Sequence, residues 1–481
     1  MPIVYEAAYT LNWGDGSTGW RFFEQVFALT TLMVGNSRTE EMAGELASLS
    51  LEERRYGGYA AQRMLWFARS GDVLVLPYLP RAEYLEYVTA VTGTDPESLL
   101  VLCPPPGALG TDLLTPDRTA DPGFLGQVRA AVQERGVDGM LTVYQDVPMT
   151  RLAAAVGLRM PGHAFSAQGG DAFLNSKAGF RAIAAGIGVP IIQGLATNRL
   201  AEARDMVTEV LAAGHSAIVK QEFAAGGDGN EILSPVAGVR AAGALTCVVL
   251  ADAAAVRDYF SRRWDWLTAG GKHRLVVERY LTGCDTVYGE YLIGEDGPVL
   301  CGIGEILMSP VPIGEIVPPR ALTGAARRKL VEAGIRLSDA YHAIGYRGYL
   351  STDAVLTPAG EIYFTETNAR MSGSTHLHVV INGRLLDPAH RGRRVVLELH
   401  DWTVPSFAAA VERLIRAGLA FDKHTGTGVV LTSDLMPDQT VAYCVVAEDL
   451  AAAEAVRGRL LEEFKPLVAA AYPTSRASDT E

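Results

Sequence analysis

Apolar runs of strand length alternate with helical periodicity through the first 165 residues. The runs at 29–34, 73–77, 99–103 and 140–144 read as buried strands, and their alternation with helices predicts a parallel α/β sheet. The last run ends in Tyr144, Gln145 and Asp146 before an amphipathic helix over 149–156 that stops at Gly157. Those three residues are expected to line a crevice beyond the strand's carboxyl end. A helical pattern carrying Phe173, Leu174, Lys177, Phe180 and Ile183 runs from Asp171 to a stop at 186–190, and a second helix covers 202–213. A strand over 216–220 then enters Ala-Ala-Gly-Gly-Asp-Gly-Asn at 224–230, where three glycines among small residues predict a mobile loop. The β-rich run 275–280, the strand 286–293, a turn at 294–297 and the strand 299–303 introduce antiparallel pairing. A long helix covers 325–344, and after about residue 396 the pattern reads helix, strand, strand, helix (408–417, 428–431, 441–446, 451–464), a small α/β appendage with a polar tail over 474–481 that is expected to be disordered. Four units follow: 1–165, 166–280 with the glycine loop, 281–395 and 396–481.

The densest chemistry lies between Gly348 and Arg370. If 357–360 form a four-residue hairpin loop, Asp353 faces Phe364 and Ser351 faces Glu366, so Asp353, Glu366 and Asn368 share one sheet face. The two carboxylates become diagonal neighbours about 7–8 Å apart at the backbone. Two anionic oxygens and one amide oxygen, with no His or Cys, select a hard cation such as Mg²⁺. Arg370 lies on the same face, ready to meet the phosphate such a metal carries. Lys220 ends a strand just before Gly226, Gly227 and Gly229, and a backbone rich in N–H donors beside a lysine suits closure over a triphosphate. The segment Glu278, Arg279, Tyr280, Leu281 offers backbone groups to an adenine, and Asp285 a carboxylate to a ribose diol.

Composition narrows the partners. A chain of 481 residues, 48% hydrophobic and 20% charged, suits two or three globular domains. Forty-two basic against fifty-five acidic side chains leave a net charge of −13, which disfavours nucleic acid and anionic membranes as partners. Five scattered cysteines without CxxC spacing fit a reducing cytoplasm. Residues 1–17 lack a secretory pattern, and the most apolar long stretch, 243–256, is interrupted by Asp252 and is shorter than the roughly 20 residues a membrane crossing needs. His376 and His378, alternating on an expected strand face after Ser372-Gly-Ser-Thr, should border the phosphate or substrate pocket rather than bind zinc, for want of a third ligand nearby. With neither a G-x-S-x-G elbow nor a Walker lysine, a serine hydrolase and a P-loop enzyme are disfavoured.

The ordered set Lys177, Lys220 with its glycine loop, Glu278–Leu281, Asp285, Asp353 and Glu366-x-Asn368-x-Arg370 resembles the ATP-grasp superfamily over residues 140–380. The resemblance implies a pre-ATP-grasp α/β domain followed by two α+β subdomains that close on ATP. Residues 278–281 would then read adenine and Asp285 ribose, Lys177 and Lys220 the α- and β-phosphates. Asp353, Glu366 and Asn368 would hold Mg²⁺, and Arg370 would face an acyl phosphate. The phrases Met-Val-Gly-Asn-Ser-Arg at 33–38 and Leu-Thr-Val-Tyr-Gln-Asp at 141–146, with the small C-terminal unit, are similar to the pheganomycin-type peptide ligases of antibiotic biosynthesis. These join an amidino- or guanidino-bearing amino acid to a peptide's amino terminus. The expected function is a cytoplasmic ATP-dependent carboxylate–amine ligase acting on a small carboxylic acid donor and a peptide acceptor, as a homodimer. Lys220, Arg370 and Arg320 would neutralise charge, and Asp146, Glu305 or Glu315 would meet a donor cation. A dipeptide ligase, an ATP-grasp phosphotransferase and a regulatory nucleotide-binding module are the alternatives.

Overall fold

A computed structural model describes residues 30–464, in three sheets. Leu29 and the 474–481 tail lie outside the described residues. The first sheet is parallel throughout, in the order Leu100–Leu102, Val73–Val75, Thr31–Val34, Gly139–Thr142. Leu32, Val34, Val75 and Met140 are buried against Val128, Met149 and Leu152 of the helices Pro122–Arg135 and Val147–Val156. Asp146 caps the second of these helices, Pro148 sits in its first turn, and Gly157 ends it at a φ of 77°.

The second sheet runs Gly194–Thr197, Leu275–Arg279, Ala217–Gln221, Asn230–Ser234, Thr246–Val249. Strand alternation divides its two faces. Val219, Leu233, Leu275 and Val277 pack under the helices Leu200–Ala212 and Ala253–Thr268, which leaves Ile218, Lys220 and Glu278 on the opposite face. The helix expected from Asp171 is in fact two, Gly170–Asn175 and Lys177–Gly186. Ser176 breaks it by taking an extended ψ of 123°, and its hydroxyl caps the second helix by accepting from the Gly179 N–H at 3.0 Å.

The third sheet has eight antiparallel strands, Ile362–Asn368, Gly348–Leu356, Asp285–Gly294, Gly297–Met308, Pro312–Val317, Val395–Thr403, Thr440–Ala447 and Gly428–Leu431. The helix Gly324–Ala343 covers one end through Leu330, Ala333 and Leu337. The C-terminal strands therefore extend the sheet that carries Asp353, joined to it by Val395–Thr403, a strand whose alternation is obscured by Glu398, His400 and Asp401. His376 and His378 belong to the helical segment around Leu377–Leu385, not to a strand. Leu377, Val379, Val380, Ile381 and Leu385 are all buried there, and a segment apolar on every side gives no period-two signal. No helix among the described residues is long and apolar enough to cross a membrane.

Candidate active site

A cleft of about 730 Å³ opens between the second and third sheets. Asp285, Asp353, Glu366, Asn368 and Arg370 line it from the third sheet, and Lys220, Gly226, Gly227, Glu278, Tyr280 and Leu281 from the other side. The acid pair owes its geometry to two departures from the expected register. The loop between the strands is one residue longer, so Leu356 pairs with Ile362 and Ala354 with Phe364. An irregularity at Thr365 then restores the parity, and Asp353 stands directly opposite Glu366 with Ser351 opposite Asn368. The shared face is as expected, and the carboxylates are closer neighbours than the diagonal expected from the shorter loop. Asp353 accepts from Ser351 Oγ at 2.8 Å and from Asn368 Nδ2 at 3.0 Å. Burial, reinforced by the Glu366 charge, pushes the Asp353 carboxyl well up. Burial also disfavours ionised Glu366, but Lys177, Lys220 and Arg370 outweigh it and hold that group below its ordinary value. Two like charges facing each other in a set of oxygen donors suit a hard divalent cation.

Lys177 starts its helix because Ser176 breaks the one before, and it is buried behind the cleft wall. Its ammonium reaches the Ala224 carbonyl at 2.7 Å and Glu366 at 3.3 Å, joining the glycine loop to the strand that carries Glu366. Lys220 lies 2.7 Å from Glu278, which is also bound by Arg181, a partner with no sequence signal of its own. The glycine loop carries Gly226 and Gly227 in the left-handed region, and Gly229 has Ala224 and Gln221 where a Cβ would be. Gly229 forms the base of the loop and does not line the cleft. The Tyr280 hydroxyl accepts from Ala242 N at 2.8 Å, fastening the segment 240–242 over the cleft, while Ile192, Ile218 and Val355 give apolar wall. Asp285 is exposed at the mouth.

Arg370 is aimed by Asn175, whose Oδ1 accepts from Arg370 Nη1 at 2.9 Å and from Ala369 N at 3.0 Å. Glu290, the one acid in a buried strand run, accepts hydroxyl bonds from Ser372 at 3.0 Å, Ser374 at 2.9 Å and Thr375, and so shapes the turn after Arg370. Its burial pushes the carboxyl up to about 7. Ser372, Gly373 and Ser374 line the cleft; His376 and His378 do not. His376 pairs with Glu398 at 2.9 Å with Cys444 close by, so acceptors do surround it, in the core behind the cleft. Arg320 and Glu305 both line the cleft but are bound to each other at 2.7 Å. Asp146 lies outside it, accepting from Met149 N at 2.9 Å as a helix cap. Of the three acids expected to meet a substrate cation, Glu315 alone lines the cleft without a salt-bridge partner among the described residues.

Profile comparison matches residues 61–158 to the pre ATP-grasp domain and residues 176–386 to the ATP-binding domain of the carbamoyl-phosphate synthase L chain. The fold is the ATP-grasp fold. Residues 409–460 match the PGM1 C-terminal domain. Among solved structures, the Campylobacter jejuni biotin carboxylase in a beta-gamma-ATP complex is 14% identical with a TM-score of 0.54, covering 90% of this chain and 91% of that one. The biotin carboxylase domain dimer of Hydrogenobacter thermophilus 2-oxoglutarate carboxylase, in complex with MgADP, ADP and bicarbonate, is 15% identical with a TM-score of 0.54, covering 90% of each chain. The Staphylococcus aureus N5-carboxyaminoimidazole synthetase is 13% identical with a TM-score of 0.52, covering 91% of this chain and 98% of that one. No curated protein sequence matches.

Proposed function

We propose that this ATP-grasp protein is an ATP-dependent carboxylate–amine ligase that forms a peptide bond through an acyl phosphate. The observation that carries the reading is the pairing of Asp353 with Glu366 on the cleft face, with Lys177 against Glu366 and Arg370 two residues beyond Asn368. ATP would lie with adenine against 278–281, ribose at Asp285 and its phosphates under the glycine loop. Asp353, Glu366 and Asn368 would hold Mg²⁺, which when bound neutralises triphosphate charge. Lys220 binds the phosphates, while Lys177, expected to share that role, stands behind the cleft wall and holds Glu366 and the Ala224 carbonyl of the loop. Arg370 holds the transferred phosphoryl group, and Arg320 supplies further positive charge at the cleft. Catalysis is then alignment and charge neutralisation, with water excluded as the loop over 224–230 closes. The donor is a small carboxylic acid of the guanidino or amidino amino acid type and the acceptor the amino terminus of a peptide, in a homodimer as the Hydrogenobacter domain is a dimer.

Hydroxylamine tests the reading. With ATP, Mg²⁺ and a panel of amino acids and guanidino acids but no amine, a ligase yields a hydroxamate and ADP. A stable phosphorylated product indifferent to hydroxylamine would identify a phosphotransferase, and no ADP with any acid would identify a regulatory module. Free amino acids serving as well as peptides would make it a dipeptide ligase.

A further inference from the structure

Six carboxylates line the cleft, and five have a cation, a donor on each oxygen, or water. Glu278 is held by Lys220 and Arg181, Glu305 by Arg320 and two backbone N–H groups, Asp353 by Ser351 and Asn368, Glu366 by Lys177, and Asp285 stands in water. Glu315 is the exception. Its Oε2 is buried with no hydrogen-bond partner, and the side-chain donor it does meet is the Tyr288 phenol. The acids around it are Glu398 directly across the ladder, Glu290 and Asp353; Glu398 already has His376, and the Arg63 guanidinium nearby donates to the Gly373 carbonyl at 3.3 Å, with no salt bridge to Glu315. On its open side stands the turn after Arg370, where a Cβ on Gly373 would lie 3.5 Å from Glu315 Oε1. Burial and the Glu398 charge raise the Glu315 carboxyl well above its ordinary value, so it keeps its proton until a ligand cation beside it stabilises the charge and leaves a strongly basic carboxylate.

We propose that Glu315 is the carboxylate that binds the ammonium form of the amine substrate and takes its proton before attack, an inference that rests on the ligase reading. An amine arriving as R–NH₃⁺ has no lone pair to give. Transfer of one proton to Glu315 leaves R–NH₂, whose lone pair forms the C–N bond to the acyl carbon as the C–O bond to phosphate breaks. The second proton leaves with the departing phosphate as HPO₄²⁻. Gly373, which Glu315 faces, is three residues beyond Arg370, so the base stands beside the segment proposed to hold the acyl phosphate.

Hydroxylamine is largely neutral near pH 7 and needs no such base, which separates the two half-reactions in one variant. Glu315→Gln keeps the shape and removes the base. With the acid that serves best in the hydroxamate panel, this variant should form hydroxamate within about threefold of wild type, while amide formation with triglycine at pH 7 falls about 10²–10⁴-fold, the usual worth of a positioned base. That loss should recover as pH rises towards the pKa of the triglycine amine. Equal loss of hydroxamate and amide, retention of both, or a loss of amide that no pH restores would each overturn the assignment. Wild-type protein that gives no hydroxamate would instead bring down the ligase reading and the base with it.

Discussion

Lys220 and Arg181 share one buried carboxylate, Glu278, so the side chains nearest the proposed phosphate site are also structural. Glu278→Gln leaves two buried cations around a neutral amide, and urea unfolding should show a loss of roughly 3–5 kcal/mol. Asp353→Asn relieves the repulsion between the facing acids and should keep or gain thermal stability, whereas Glu366→Gln leaves buried Lys177 without its carboxylate and should lose it; in both, turnover should fall by about 10²-fold or more and the Mg²⁺ requirement rise. Near-normal turnover at ordinary Mg²⁺ would count against the metal role. Glu290 has a pH signature. Its carboxyl is raised from 4.5 to about 7 by burial, so between those values the unfolded chain has lost the proton that the folded protein keeps. The contribution of Glu290 to stability therefore falls as pH rises through that window. Glu290→Gln should gain stability relative to wild type between about pH 5 and 7 in thermal melts, and a constant difference would refute the shift.

At the scale of elements, small irregularities set the site. Ser176 interrupts a helical pattern and puts Lys177 in the first turn of a new helix, where its ammonium meets Ala224 and Glu366. Ser176→Ala removes the cap, at a cost of about 1 kcal/mol, and relaxes that placement. We expect a small fall in thermal stability with a several-fold rise in KM for ATP; a stability loss with KM unchanged would make the break purely structural. The hairpin 348–368 combines a longer loop with an extra residue at Thr365, and the two together keep Asp353 and Glu366 on one face.

Across the whole molecule, the eight-stranded sheet joins the C-terminal strands to the metal-side hairpin. Val395–Thr403 pairs with Pro312–Val317, the strand that carries Glu315. A chain ending at 394 would expose that strand's edge and strip Val396, Leu397, Leu399, Val445 and Val446 from the largest core, so we expect an insoluble or unfolded fragment by circular dichroism. Recovery of an active, monodisperse fragment would show the sheet to be divisible. The cleft lies between two sheets, and its glycine loop is the wall expected to move. ATP with Mg²⁺ should slow amide hydrogen exchange over 224–230, and unchanged exchange in that segment on nucleotide binding would argue against closure.

Strands with a continuous apolar run, helices with clean caps, and the acids at 353 and 366 were legible because their signals are local: periodicity, a capping residue, a turn. The alternating parallel α/β pattern of the first unit and the ordered Lys, Gly, Glu, Asp and Arg set needed no long-range information. Other features depend on contacts between residues distant in the chain. The bracing of Arg370 by Asn175 spans 195 residues, and the Glu290 contact to Ser374 spans 84. A serine breaking a good helix, an extra strand residue at 365, and His376 turning from an expected strand into a buried helical segment are decided by packing. Local propensity there is weak against the burial of surrounding apolar side chains. Which of Asp146, Glu305 and Glu315 faces the cleft without a cation is likewise tertiary, because each partner comes from another element or from the capped helix itself. Residue types and their order were enough to name a chemistry; only the folded sheet decided which carboxylate was left unpaired.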